Sequence, residues 1–350
     1  MRIKLSYMMV SFLWILLFPE TNLLSAQDAY FKGKTIRIIA GFPGGGGVDA
    51  EARMMARFLG LYIPGHPTML VQNMPGAGGT VASNWFEQFA KPDGLTLHYT
   101  STTSINQQAM SVKEAKYDLT RWPAIGSVRR GTSVALIRQK SLERLTGAGE
   151  PLKVGVRSGD ESWNAIFLWG AEFLKWNVRW VQGYPGGGEI QLAFERNETD
   201  IYPTATLPIL QKFIGQGFYP FVQQGMLNAS GAFQRRSEFA DVPVFDDLAK
   251  EQRPTGVAGQ AYTVFAGTDS VGRPLQAAPK TPANLLRQLR DGLTRMKDDP
   301  DFKAELKRVS GEDAQILLAA EVDALLRQLV VVSPPIQGYI NGLMKKYLNR

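Results

Sequence analysis

Apolar positions along the chain switch repeatedly between strand-like runs and helical spacing. Thr35 to Ala40, with Ile36, Ile38 and Ile39, reads as a buried strand, after which Val48, Ala52, Met55 and Phe58/Leu59 recur at helical spacing. Thr68 to Val71 predicts a second strand, and Val81, Trp85 and Phe89 mark the helix behind it. "PDGLTLHYT", residues 92–100, is a turn into a third strand. This strand-loop-helix order implies a parallel sheet with helices packed on it, because parallel neighbours need crossovers.

A second block opens at Val134 to Ile137. "LKVGV" (152–156) and "VRWVQ" (178–182) read as strands around an apolar helix pattern from Trp163 to Phe173, and "DIYPTA" and "YPFV" add short strands. Beyond Gly267 the pattern turns helical. Thr281 is placed to cap a helix with Pro282 at its first position, leading into Leu285, Leu289 and Leu293, and Asp299-Pro300 repeats that start. No low-complexity tract or solenoid-length repeat interrupts this order.

At 350 residues the chain exceeds one comfortable hydrophobic core, so two lobes are the default. The first 26 residues stand apart: Arg2 and Lys4 lead an apolar stretch from Met8 to Phe18, followed by Pro19 and "LLSA" before Gln27. That is the pattern of a secretory signal cut after Ala26, too short to span a membrane, which takes about 20 apolar residues. A soluble periplasmic product is expected. The absence of cysteine removes disulfides, thiol catalysis and a lipoprotein anchor. A formal charge of +7 suits nucleic acid, an anionic membrane or small anions, and the basic residues are scattered without the stripe that nucleic acid would need.

Three glycine-rich turns carry the candidate chemistry. "GFPGGGGVDAEAR" (41–53), "PGAGG" (75–79) and "YPGGGEIQLAF" (184–194) each follow a strand-like run and precede a helix. A phosphate-binding loop needs Lys and Ser/Thr directly after the glycines, and Val48, Asp49 and Ala50 stand there instead. A dinucleotide fingerprint is disfavoured by the acid in the helix's first turn, which would repel pyrophosphate. What remains is an array of backbone N–H groups at a helix N-terminus, suited to a small anion; the alternative is a tight turn that binds nothing. Asp49 serves either its own helix or a polar group of a ligand. Hydrolytic chemistry finds neither a G-x-S-x-G nor an H-E-x-x-H arrangement, His66 falls in a solvated turn, and His98 reads as a strand position. No carboxylates cluster at metal-ligand spacing, and Trp163, Trp169, Trp176 and Trp180 read as core.

"FPGGGGVDAEAR", "VQNMPGAGGTVA" and "PDGLTL" in that order, then "LKVGV", "YPGGGEIQLAFERNETD" and "FADVPVFDDLA", resemble the solute receptors of tripartite tricarboxylate transporters, the Bug-type periplasmic binding proteins. The resemblance runs from about Tyr30 to the C-terminal helices. It implies an α/β fold of periplasmic binding protein type II-like form, two α/β lobes with a ligand cleft between them: residues 27–133 and 260–350 in the first lobe, 134–259 in the second. It also implies a small organic acid as ligand, no cofactor, no enzymatic activity, a monomer, and integral membrane permease subunits as partners. The proximal carboxylate would be held by Phe42, Pro43, Gly44, Gly45 and Gly46 through Gly47, with Asp49, Gly76, Ala77, Gly78, Gly79, Thr102 and Thr103. The second lobe would offer Ser158, Gly159, Tyr184, Gly186, Gly187 and Asp200.

The chain departs from that pattern in places. Val48 stands where a small polar residue or proline is usual, Arg157 is either a surface arginine or a partner for a second carboxylate, and "AGTDSVGRPLQAAP" lacks the usual strand before the C-terminal helices. The rival classes are a carboxylate-sensing adaptor that docks on a signalling protein and a hydrolase using the same cleft.

Overall fold

The computed structural model describes residues 30–228 and 230–349, so the expected signal segment lies outside the described residues. In chain order the strands are β1 (Thr35–Ala40), β2 (Thr68–Asn73), β3 (Thr96–Tyr99), β4 (Ala124–Arg129), β5 (Val134–Arg138), β6 (Leu152–Gly155), β7 (Val178–Val181), β8 (Ile201–Thr204), β9 (Phe218–Gln223), β10 (Met226–Leu227), β11 (Phe233–Gln234), β12 (Arg273–Ala277) and β13 (Gln315–Leu318). They form one sheet in the order β13-β4-β12-β3-β1-β2, a second in the order β7-β6-β8-β5-β9, and a hairpin of β10 and β11.

Both large sheets follow one plan. β1 pairs in parallel with β2 and β3, as β6 does with β7 and β8. Each sheet then receives an antiparallel strand from the far end of a crossover: β12 between β3 and β4, and β5 between β8 and β9. The sheets are therefore mixed where strand-loop-helix order alone implied parallel ones. β12 is the strand hidden from the periodicity. All five of its residues are buried, including Arg273 and Gln276, so no alternation shows. Its Pro274 has no amide to donate, and the register shifts beside it, between Leu275 and Gln276.

The first lobe packs the helices Gly47–Tyr62 and Ala283–Met296 on its sheet, joining Met55, Leu59, Leu289 and Leu293 to Ile36, Ile38, Leu97 and Leu275. That second helix begins one residue later than its sequence suggested, with Pro282 as the cap. Asp299 caps the next helix, Pro300–Ser310, by accepting from the amides of Asp301 and Phe302. The second lobe buries Phe167, Trp169 and Trp176 against Val154, Ile201 and Val222. Each such apolar side chain removed from water contributes about 1.5–3 kcal/mol.

The chain crosses between the sheets at 130–133 and returns between β9 and β12. The expected division at 259/260 falls inside the helix Gly256–Gly267, whose Ala261, Tyr262 and Phe265 pack on the second lobe's core. The C-terminal helix Pro334–Leu348 lies on that core too, through Ile340, Leu343 and Met344.

Candidate functional site

The segments that follow β1, β3, β6, β7 and β8 converge on a cleft between the two lobes. It holds about 930 Å³ of empty space, the open solvent at its mouth included. These are the carboxyl ends of the parallel strands, where open α/β sheets bind ligands. Four helices begin here: Gly47–Tyr62, Thr102–Ala109, Gly187–Glu195 and Leu207–Gly215. Ser101 caps the second of them by accepting from the amide of Ser104, whereas Gly46, Gly186 and Thr206 make no side-chain cap hydrogen bond. The first amides of a helix have no partner within it, so they and the helix dipoles favour an anion in the cleft.

Arg130, Arg157 and Arg273 line the same cleft. Arg273 donates to the carbonyl of Gly47 at 2.7 Å and pairs with Glu51 at 2.9 Å. Burial and the neighbouring Arg130 charge push the Arg273 guanidinium below its ordinary pKa, against the pull of Glu51. Arg130 reaches the other oxygen of Glu51 at 3.9 Å, and the Tyr99 hydroxyl donates to Glu51 at 3.2 Å. Arg157 pairs with Glu161 at 2.9 Å, donates to Thr103 Oγ1 at 3.3 Å across the lobes, and lies over the Phe42 ring at 4.8 Å.

Two carboxylates shape the loops on either side. Asp49 is buried below the first glycine loop, accepting from the amide of Gly45 and from Arg53 Nε at 2.9 Å each, and from Asn73 at 2.9 Å. Burial raises its pKa, and these hydrogen bonds outweigh it, so the group stays below the usual carboxylate range. Glu161 accepts from the amides of Arg157 and Gly159 at 2.8 Å and from that of Ser158 at 3.3 Å. Burial again raises the carboxyl pKa, and the charge of Arg157 together with these bonds brings it down overall.

Of the residues singled out by sequence, Phe42 to Gly46, Thr102, Thr103, Gly186 and Gly187 line the cleft together. Asp49 stands behind the loop. Gly76 and Gly79 face Val81 and Phe42 of their own lobe, and Gly78 lies at the lobe-lobe contact, where a Cβ would come 2.7 Å from Ser158 Oγ and 3.1 Å from Thr103 Cγ2. Gly159 packs on the C-terminal helix, a Cβ there meeting Leu348 at 2.7 Å. Tyr184 packs with Ile190 and Phe194 in a satellite core. Asp200 accepts from the amide of Lys153 at 2.9 Å and pairs with Arg144 at 3.5 Å, apart from the cleft-lining residues.

Sequence reading passed over Arg130, Ser133, Tyr202, Thr204, Thr206 and Arg273, which also line the cleft, and read Trp163 as core. Trp163 is core and lining at once. His98 is buried between Phe86 and Trp122 with Nδ1 2.9 Å from Thr100 Oγ1, and burial pushes its pKa down to about 3. His66 is exposed in its turn. Among the described residues no helix is long and apolar enough to cross a membrane, and no group of three or more acidic or histidine side chains could hold a metal ion.

No protein-family model matches the sequence, and no curated protein matches it. Solved structures do match in fold. The periplasmic binding protein BugD is similar with a TM-score of 0.69 at 18% identity, over 89% of this chain and 98% of that one. MatC of Rhodopseudomonas palustris with bound malate gives a TM-score of 0.64 at 17% identity, over 86% and 97% of the two chains. Another R. palustris protein, solved with adipate, gives 0.68 at 12% identity, over 90% and 97%. The chain shares its fold with these structures, the periplasmic binding protein BugD among them.

Proposed function

We propose that this protein is a non-enzymatic periplasmic receptor of the Bug type that captures a small organic carboxylate between its lobes and delivers it to the membrane subunits of a tripartite tricarboxylate-type permease. The observation that carries the reading is the cleft itself: uncapped helix N-termini and three arginines converge there from both lobes. The acids bound by two proteins of the same fold, malate and adipate, are of the same chemical class. In this reading one carboxylate sits on the amides of Gly44, Gly46 and Gly47 beside Thr102 and Thr103, and Gly186 and Gly187 meet the ligand's far end. Asp49 holds the first loop in shape, while Gly78 sets how closely the lobes approach. Ligand binding shifts an open-closed equilibrium toward the closed form by its greater affinity for that form.

A thermal-shift screen of carboxylic acids on the mature protein, followed by calorimetric titration, tests this. At a hundred times its Kd a ligand adds about 2.7 kcal/mol to the native state, which for a chain of this size raises Tm by about 4 °C. A panel of mono-, di- and tricarboxylates that leaves Tm unmoved sinks the proposal.

A further inference from the structure

The arginines of the cleft are not equally satisfied. Arg157 and Arg273 each make hydrogen bonds within the protein in addition to an ion pair. Arg130 has a side chain only 13% exposed, and among the described residues its one ion-pair partner is Glu51 at 3.9 Å, a carboxylate that Arg273 already engages at 2.9 Å. Two arginines sharing one carboxylate leave a positive charge uncompensated at the cleft. Three residues along, Ser133 is 1% exposed, lines the same cleft, and its Oγ has no hydrogen-bond partner. Both belong to the crossover 130–133 that joins the lobes, whose Gly131 and Thr132 face a separate cavity behind it. The one acid on the cleft's rim, Glu189, lies in the first turn of its own helix and makes no ion pair with Arg130.

We propose that Arg130 and Ser133 form a side-chain subsite on the hinge for a second anionic group of the ligand. This rests on the receptor reading above and extends it. The first carboxylate is held by main chain and is shared by any acid, whereas the second is read by the segment that bends when the lobes close. The chain therefore selects a dianionic acid over its monoanionic counterpart of equal length, and the selecting contact lies on the hinge itself.

The test compares matched pairs, succinate with butyrate and adipate with hexanoate, by calorimetric titration of the mature protein, Arg130→Gln, Arg130→Lys and Ser133→Ala at neutral pH. The wild type is expected to prefer the better-fitting dianion by at least about tenfold, the order of one charge-assisted contact. Arg130→Gln should bring that ratio below about threefold, Arg130→Lys should retain part of it, and Ser133→Ala should lower it modestly. A purely structural Arg130 would weaken both members of a pair alike and leave the ratio standing, which overturns the inference. So does a wild type that binds both members of each pair equally, a result under which the receptor reading survives. If no acid of either charge binds the wild type, the receptor reading falls and takes the subsite with it. Should Arg130→Gln fail to fold, the ratios of Arg130→Lys and Ser133→Ala decide: both unchanged from wild type refutes the subsite.

Discussion

The loops 42–47 and 75–79 are built from nearly the same residues and end in different places. Both follow parallel strands of one sheet and both precede helices. The first leaves its helix N-terminus open to the cleft, with Asp49 fixing the Gly45 amide from behind. The second is filled by side chains of its own lobe and touched by Ser158 of the other. Its Ala77 carbonyl accepts from Thr80 Oγ1 at 2.8 Å and Gln107 Nε2 at 3.1 Å, and Gly78 lies against Ser158 and Thr103. One glycine run thus lines the cleft and the other lets two lobes touch. Glycine tells where backbone must come close to something; the partner is decided by the rest of the fold.

The sharpest way to break this contrast is Gly78→Val. Gly78 has φ +64, and a Cβ there sits 2.7 Å from Ser158 Oγ, so the substitution strains its own loop and wedges the lobes apart. Binding of any acid should weaken by at least about a hundredfold if affinity requires closure. Small-angle scattering with saturating acid should show a wild type that contracts and a variant that does not. A variant that contracts normally and binds with full affinity would mean that this contact is incidental.

How much of this was legible beforehand follows from how local each signal is. β1, its glycine loop and the helix behind it are contiguous, so apolar spacing and composition reveal them, and Thr102 and Thr103 follow from the end of the next strand. Arg130 and Arg273 are invisible to that reasoning. They lie far apart in sequence, Arg130 on the crossover 130–133 and Arg273 at the start of β12, and meet only through Glu51 once the sheet is assembled. β12 hid for a related reason: a central strand with both faces buried keeps Arg273 and Gln276 inside by pairing them, and its pattern reads as neither strand nor surface. The different fates of the two glycine loops were not legible either, because only the assembled fold separates them.

The platform beneath the second loop should also be the more acid-sensitive one. The helix Thr80–Phe89 rests on His98, with Phe86 at 5.2 Å between ring centroids and Ser83 Oγ 3.5 Å from Nε2. The pKa of His98 is about 3 when folded, against 6.5 for an unburied histidine, so at pH 7 the ring is neutral in both states. As pH falls below 6.5 the unfolded chain takes up a proton that the folded protein refuses, and stability is lost progressively down to about pH 3. At pH 5 the loss amounts to about 2 kcal/mol. Urea midpoints at pH 7 and pH 5 should therefore diverge more for wild type than for His98→Gln; equal divergence would show that His98 titrates alike in both states.

Asp49→Asn probes the first loop with a smaller expected effect. The amide oxygen can still accept from Gly45 and Arg53, but its NH2 must then face the NH2 of Asn73, donor against donor, so the loop's brace is weakened. Affinity should fall about tenfold and stability by about 1 kcal/mol together, because the side chain acts through the loop. A tenfold loss at unchanged stability would instead place the carboxylate in contact with the ligand.

The smallest effect separates space from conformation within the cleft itself. A Cβ added to Gly187 or to Gly45 would meet nothing within 4 Å in either case, so neither Gly187→Ala nor Gly45→Ala creates a clash inside the protein. They differ in backbone. Gly45 has φ +83, a left-handed conformation that costs an alanine about 1 kcal/mol, whereas Gly187 opens a helix, where alanine is favoured. Gly187→Ala should therefore leave Tm level or slightly raised and keep affinity for succinate within about threefold. Gly45→Ala should lower Tm and move the amide that Asp49 holds, with affinity falling somewhat further. If the two variants bind succinate equally while only Gly45→Ala melts earlier, the amide of Gly45 serves the loop and not the ligand. If Gly187→Ala is the weaker binder, its new methyl group meets the acid directly, and the second lobe's glycine run, like the first, is there to bring main chain against the ligand.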